Sequence, residues 1–597
     1  MQKLFEKNIK FFYENLPHYY DLIKNLKHRN FYIKDDNLYD TNHNKVYPTS
    51  ITGDSKQFAH IPTHNPLWEK DFFYIHPFYW KKDFNITGDI INSLFEKAKT
   101  LDSYTHDGFY FDKNFLPTTI IYGLLAGKHI DLLVNNYEFQ SLFIYEPNPE
   151  FFAVSLYYID YEKVYSKLKD RFFLWVKGHI DYYAIQKFFH ERKITSTFFN
   201  LELTTYKHPL MDDAKLKFEE VKQTKLRGWG TFEDEYRGIK NHLKNLNKYR
   251  TFKPGKQPKK IPVCIVANGK SLEKNIDFIK NNQNSMIIIS VGTAIKPLLK
   301  AGIHSDFHIE QERIENLDDI LKDTLPKYNG HFIGASVVKP EVFKLAKNPL
   351  MYMREAFTLS PKEYVIKGSS PIVGNAGFAF ASNITNEIYL CGMDLGFRLN
   401  EKKHASGSYY DTTDDKEEQG IKVKGNFSDD IYSNSLLLSS KQNIELMIKK
   451  LKIKVYNLSD GAYIEGSIPL KNKTLPGINK QKALKEILKN FKNTSFSIPQ
   501  LDLNKILLPI SNTLNFEIKS YKDLTGVVDF INDKLDESFL YHPNEYTLIR
   551  GSIYHILNNF YITSHKVKIK EIPELIKVIQ NQLPLYQKKI NTLLSDF

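Results

Sequence analysis

Residues 261–272 read IPVCIVANGKSL. The run from Pro262 to Ala267 is short, apolar and rich in β-branched residues, which is the signature of a buried strand. It passes directly into Asn268, Gly269, Lys270 and Ser271, after which a helical pattern begins. A strand that turns tightly into a helix leaves the first backbone N–H groups of that helix free to hold an anion. The stretch is therefore expected to be a nucleotide-binding turn, with a purely structural β-to-α turn as the alternative.

Gly269-Lys270-Ser271 spells the second half of a Walker A motif, but Cys264 stands where that motif needs its first glycine. The long phosphate-wrapping loop has no room here. A short turn remains, in which Asn268 presents its amide, Gly269 lets backbone approach a ligand and Ser271 is the candidate N-cap.

Outward from this turn, residues 251–470 alternate strand and helix patterns, as a doubly wound, mostly parallel α/β sheet does. Expected strands are Pro262–Ala267, Met286–Val291, Asp306–Ile309, His331–Ala335, Leu350–Met353, Glu387–Gly392 and Lys454–Asn457. In a parallel sheet the loops after the strands share one edge, which collects Gly292-Thr293, Glu310-Gln311, Gly374-Asn375-Ala376 and Asp394 beside the turn. Glu310 and Gln311 are suited to ribose hydroxyls, and the small residues of VGNAG to a helix N-terminus facing a phosphate or carboxylate. Each alone is also an ordinary turn residue. Periodicity vanishes between Phe397 and Asp430, a polar stretch too long for an ordinary connection and so expected to be a functional loop. It carries His404, followed by Tyr409 and Tyr410. A histidine near its ordinary pKa of ~6.5 is a competent base at neutral pH, and a Tyr hydroxyl can donate to a departing phosphate. A solvated loop histidine is the alternative. His304, His308 and His331 flank the core strands and read as structural.

The remaining chain frames this region. In 597 residues a single core is implausible, and about three domains of ~150–250 residues are expected. Residues 1–250 contain LPTTIIYGLLAGKHIDLLVNNYEFQSLFIYE (116–146), a βαβ unit of Rossmann type, extended by a strand at Phe172–Val176. Gly123 and Gly127 are too sparse for a dinucleotide fingerprint, although Glu146 sits where a ribose-binding acid would follow; binding and scaffolding both remain open. Residues 47–58, YPTSITGDSKQF, read as a polar loop, and FKPGKQPKK (252–260) as a connector. Residues 471–597 are helical, for packing or partner docking.

The net charge of +13 has no Lys/Arg block joined to a recognition motif, so it does not point to nucleic acid. Two cysteines, Cys264 and Cys391, exclude a disulfide framework and a four-cysteine zinc site, which fits a reducing cytoplasm. No apolar run is long enough to span a membrane, and the amphipathic N-terminus lacks a signal-peptide pattern. No D-x-D triplet is present, which favours a metal-independent reaction, although Asp394, Asp411 and Asp414 are available to a hard cation such as Mg²⁺ or Mn²⁺.

VCIVANGKSLEKN (263–275), TAIKPLLKAGIHSDFHIE (293–310), GNAGFAFA (374–381), NEIYLCGMDLGF (386–397), KKHASGSYYD (402–411) and VYNLSDGAYIEG (455–466) resemble, in order and spacing, the motility accessory factor family of flagellin glycosyltransferases. FIYEPNPEFF (143–152) is similar to that family's N-terminal domain. The central region is more distantly similar to bacterial sialyltransferases that use CMP-activated sugars. The resemblance implies a cytoplasmic enzyme that moves pseudaminic or legionaminic acid from its CMP donor to Ser/Thr hydroxyls of flagellin, with no required cofactor. It implies that Asn268, Gly269 and Ser271, with Gly374 to Ala376, face the nucleotide, that His404 is the base, and that Tyr409 and Tyr410 lie near the phosphate. Lys270 replaces the usual Pro of the turn, placing an ammonium near the donor's phosphate or carboxylate, and Asn375 stands in for a Ser missing from VGNAG. The rival readings are a pyrophosphokinase of the pterin type and a non-enzymatic flagellin-binding or export factor.

Overall fold

The computed structural model describes residues 1–26, 29–60, 69–74, 85–255, 260–355, 357, 359–498 and 500–597, with backbone alone at 69–74 and 227. Residues 256–259 of the expected connector lie outside the described residues. The chain forms two compact units: one of Met1–Thr231, Leu503–His542 and Ile549–Lys588, the other of Phe232–Asp502, Pro543–Leu548 and Lys589–Phe597. Among the described residues no helix is long and apolar enough to cross a membrane.

The first unit is built on strands β1 (Glu69–Tyr74), β2 (Thr118–Tyr122), β3 (Leu142–Glu146), β4 (Phe172–Val176) and β5 (Phe199–Thr204), in the order β1-β5-β2-β3-β4. All neighbours are parallel except β1 against β5. Successive residues face opposite sides of a strand. Ile121 and Ile144 accordingly pack against Ile130, Leu133 and Val134 of α1 (Lys128–Asn136). Ile120 and Phe143 pack on the other face against Phe188 of α2 (Tyr182–His190) and Phe218 of α3 (Pro209–Arg227). Residues 47–58, expected as a polar loop, are largely helical instead. Ser50 accepts from Gly53 N as an N-cap, and Ile51 and Ala59 of the helix Ile51–Ala59 are buried, so tertiary packing outweighs the turn-like composition.

The second unit contains β6 (Val263–Val266), β7 (Ile287–Val291), β8 (Phe307–Glu310), β9 (His331–Ala335), β10 (Pro349–Arg354), β11 (Glu387–Cys391) and β12 (Lys454–Asn457). They lie at the seven positions read from the sequence and pair in parallel in the order β12-β11-β6-β7-β8-β9-β10. Val263 of β6 is in register with Ile287 of β7 and Ile388 of β11. All residues of β6 and β7 are buried, as parallel strands covered on both faces require, which is why they appear as unbroken apolar runs. Helices α4 (Leu272–Asn282), α5 (Val373–Ser382) and α6 (Ser435–Leu451) belong to this unit.

Candidate functional site

The chain leaves β6 toward β7 and continues outward to β10, then returns to place β11 on the other side of β6. Strand order therefore reverses between β6 and β11, and ligands of open α/β sheets bind outside the carboxyl ends of the strands at such a switch point. The turn 267–271 stands at that point.

The polar segment after β11 is anchored to the turn. His404 forms an antiparallel bridge with Gly269. Lys270 N donates to Lys403 O at 2.9 Å and Ala405 N to Asn268 O at 3.1 Å. Gly269 is required for this approach: a Cβ there would lie 2.5 Å from Asp394 Cγ and 2.6 Å from Gly392 O. Arg398, bonded to Ser428 and Asp460 at 2.9 and 3.2 Å, and Lys403, paired with Glu417, tie down the segment farther out. It is a structured loop rather than a free one.

At its centre the His404 Nδ1 lies 2.7 Å from Asp415 Oδ2, and the same oxygen accepts from His404 N at 3.1 Å. A carboxylate only accepts, so the ring proton belongs on Nδ1 and the Nε2 lone pair is left for a substrate. Burial lowers the His404 pKa, and the Asp415 charge partly restores it. The Tyr410 ring stacks on the imidazole with centroids 3.8 Å apart and planes at 13°. Its hydroxyl pKa is raised by burial and by the charges of Glu310 and Glu312, so it remains a neutral donor. Tyr409 packs edge-on to Tyr410 and is exposed. Asp415, buried, was not distinguishable in the sequence from its acidic neighbours Asp414, Glu417 and Glu418; no spacing rule marks the carboxylate that folds back on the histidine.

The other expected site residues divide by what they bond. Asn268 is buried, donates to Thr293 Oγ1 at 2.8 Å and has an Oδ1 without a partner, which leaves one acceptor for a ligand donor. Gly292 adopts φ 54°, and a Cβ on it would meet Val373 at 3.1 Å, so the β7 turn and the start of α5 are adjacent. A Cβ on Gly374 would press on Met393 Sδ at 2.9 Å, bringing the same helix end beside β11. Ala376 is buried in α5.

Several residues make internal bonds instead. Ser271 occupies the N-cap position of α4, but its side chain does not cap; its hydroxyl and N–H both donate to Asp394, the N–H at 2.9 Å. Burial pushes Asp394 up to about 6, against the pull of those donors. Asn375 bonds to Ser440 on α6 through both side-chain atoms. Gln311 donates to Pro371 O at 3.2 Å and accepts from Tyr352. Lys270 pairs with Glu273 at 2.8 Å. Glu310 is buried, with His308 Nε2 at 3.5 Å. Asp394, Asp411 and Asp414 do not come together; among the described residues no three His, Cys, Asp or Glu side chains form a group able to hold a metal.

In the first unit, the equivalent turn after β2 is filled by protein atoms. Glu146 accepts from Leu124 N at 2.6 Å, Asn148 N at 2.8 Å and Tyr206 Oη at 2.5 Å, while Tyr47 Oη accepts from Ala126 N. The acid that its spacing offered to a ribose thus closes the turn. Burial raises its pKa to about 7.

A parallel sheet with a strand–turn–helix at its switch point and a His–Asp pair over that turn defines a Rossmann-like α/β unit with a candidate ligand site. Comparison with known proteins refines this. Residues 4–226 match the family model described as the glycosyltransferase Maf N-terminal domain. Residues 239–400 match that of the 6-hydroxymethylpterin diphosphokinase MptE-like proteins. The N-terminal part of the chain is thus similar to the Maf glycosyltransferases. The structure of a Maf glycosyltransferase from Magnetospirillum magneticum AMB-1 is similar at a TM-score of 0.65 and 20% identity, over 98% of this chain and 95% of that one, and shares the fold. No curated protein matches significantly.

Proposed function

We propose that this protein transfers a nonulosonic acid, pseudaminic or legionaminic acid, from a CMP-activated donor to Ser/Thr hydroxyls of flagellin, and serves flagellar assembly and motility. The observation that carries the reading is the His404–Asp415 pair, 2.7 Å apart, above the Asn268–Gly269 turn. The match of residues 4–226 to the glycosyltransferase Maf N-terminal domain supports glycosyl transfer; donor and acceptor rest on the sequence resemblance.

In this reaction His404 Nε2 takes the proton of the acceptor hydroxyl as its oxygen forms the bond to the anomeric carbon. The bond from that carbon to the donor phosphate oxygen breaks, and CMP leaves with the electron pair. The imidazolium so formed is neutralised by Asp415, and the neutral Tyr410 hydroxyl is the side-chain donor for charge collecting on the phosphate. Asn268 Oδ1 accepts from the nucleotide. Protons and charge balance without a cofactor; Mg²⁺ or Mn²⁺ is assigned at most a stimulating role at the leaving phosphate.

The MptE-like match gives the pyrophosphokinase reading a specific footing, but it ends at residue 400, before His404. The test measures CMP release from each CMP-sugar with flagellin present, beside pyrophosphoryl transfer from a nucleoside triphosphate with Mg²⁺ to 6-hydroxymethylpterin. CMP release lost in His404→Ala is expected. Activity on the pterin alone overturns the proposal, and flagellin binding without turnover of either donor favours the binding factor.

A further inference from the structure

The first unit holds a cavity of 630 Å³ at the edge of its sheet opposite the Glu146 turn, lined by the entries to β3 and β4 (Gln140, Arg171), the segment after α2 (Arg192), the end of α3 (Lys225) and the helix Tyr521–Tyr541. That size lies within the ~300–1,000 Å³ of small-molecule sites. One wall carries Arg171, Arg192 and Lys225 beside Asp170 and Glu191. The Arg192 side chain is 5% exposed; its Nη1 donates to Glu191 O at 3.3 Å and pairs with the Glu191 carboxylate at 3.9 Å, while its Nε has no partner. Lys225 has no hydrogen bond or ion pair among the described residues and reaches only the Phe189 ring, at 5.8 Å. Buried cations are normally paired, because an uncompensated charge away from water is costly. Burial holds Lys225 down at about 8.

The other wall accepts hydrogen bonds. Asn532 is buried with its Oδ1 unpartnered, while its Nδ2 donates to Asp536 at 3.1 Å. Asp529 is held by Thr195 and Gln140. Lys193, the remaining nearby lysine, is paired with Asp533.

We propose that this cavity binds a small hydroxylated anion, a sugar bearing a carboxylate or a phosphate, with Arg192 and Lys225 on the acidic group and Asn532 Oδ1 accepting from a hydroxyl. An unpaired Lys225 beside the free Nε of Arg192 calls for an anion, and an unmatched acceptor across the cavity calls for a donor on the same ligand. The site lies in the other unit from His404 and does not depend on the transfer reaction.

The test is calorimetric titration of the full chain with N-acetylneuraminate, glucose 6-phosphate and inorganic phosphate. Saturable binding of a sugar anion is expected, weakened ~10–100-fold by Lys225→Met or Arg192→Gln, the scale of a lost charge-assisted hydrogen bond, and unchanged in His404→Ala. The first two probes distinguish carboxylate from phosphate. Lys225→Met keeps the aliphatic packing and carries the test if Arg192→Gln does not fold. Absence of binding by all three, binding of inorganic phosphate alone, or binding that Lys225→Met leaves unchanged overturns the proposal.

Discussion

Replacing Asp415 by Asn tests the site chemistry most sharply. The carboxylate accepts from His404 N at 3.1 Å and from His404 Nδ1 at 2.7 Å, so it fixes the ring and faces the charge that forms when Nε2 takes a proton. Asn is nearly isosteric but neutral. A hydrogen bond to a charged group is worth ~1.5–3 kcal/mol, against ~0.5–1.5 for a neutral one. The difference of ~1–2 kcal/mol corresponds to ~5–30-fold in kcat, with KM little changed because Asp415 acts through His404. The pH profile supplies a second sign. Asp415 raises a histidine pKa that burial lowers, so its removal drops that pKa further and moves the acid limb of kcat/KM to lower pH. Since the base acts deprotonated, raising the pH does not rescue the variant. The assay is CMP release with flagellin as acceptor. Wild-type kcat in Asp415→Asn, an acid limb displaced to higher pH, or full rescue at alkaline pH refutes the reasoning.

Three further outcomes follow from packing and burial. Gly269→Ala places a methyl 2.6 Å from the backbone oxygen of Gly392, which cannot rotate aside, and is expected to destabilise the second unit by ~1–3 kcal/mol or more in denaturant unfolding. Glu146 is raised from the ordinary 4.5 to about 7, so the folded state binds its proton more tightly and stability falls as pH rises from 4.5 through 7; Glu146→Gln removes that slope from the thermal-stability profile. Lys225 is depressed from 10.5 to about 8, so its charged form is disfavoured on folding and stability rises between pH 8 and 10.5. Lys225→Met is expected to add ~1–3 kcal/mol at pH 7, measured by urea unfolding.

The seven strands of the second unit were legible because strands buried on both faces must be apolar throughout, and their parallel order put the turn residues on one edge. His404 and Tyr410 were legible as loop residues whose chemistry suits a base and a donor, and the structure stacks their rings. Their partner was not, since Asp415 is chosen over Asp414 by the bend of the chain and not by any period. Ser271 and Asp394 both stood at the expected edge, yet their bond, across 123 residues of sequence, depends on β11 lying beside β6. Glu146 shows the converse: its spacing suited a ribose, but Tyr206, 60 residues on, and the turn N–H groups take its oxygens. At residues 51–59, Gly53 and Asp54 carried a turn signal that burial of Ile51 and Ala59 overrode.

The central claim, glycosyl transfer with His404 as base, is tested most directly by the intact mass of flagellin after incubation with the protein and CMP-pseudaminic or CMP-legionaminic acid. The predicted result is mass increments of one nonulosonic acid residue with one of the donors, lost in His404→Ala while flagellin binding persists. No increment with either donor, or equal increments from His404→Ala, would contradict it.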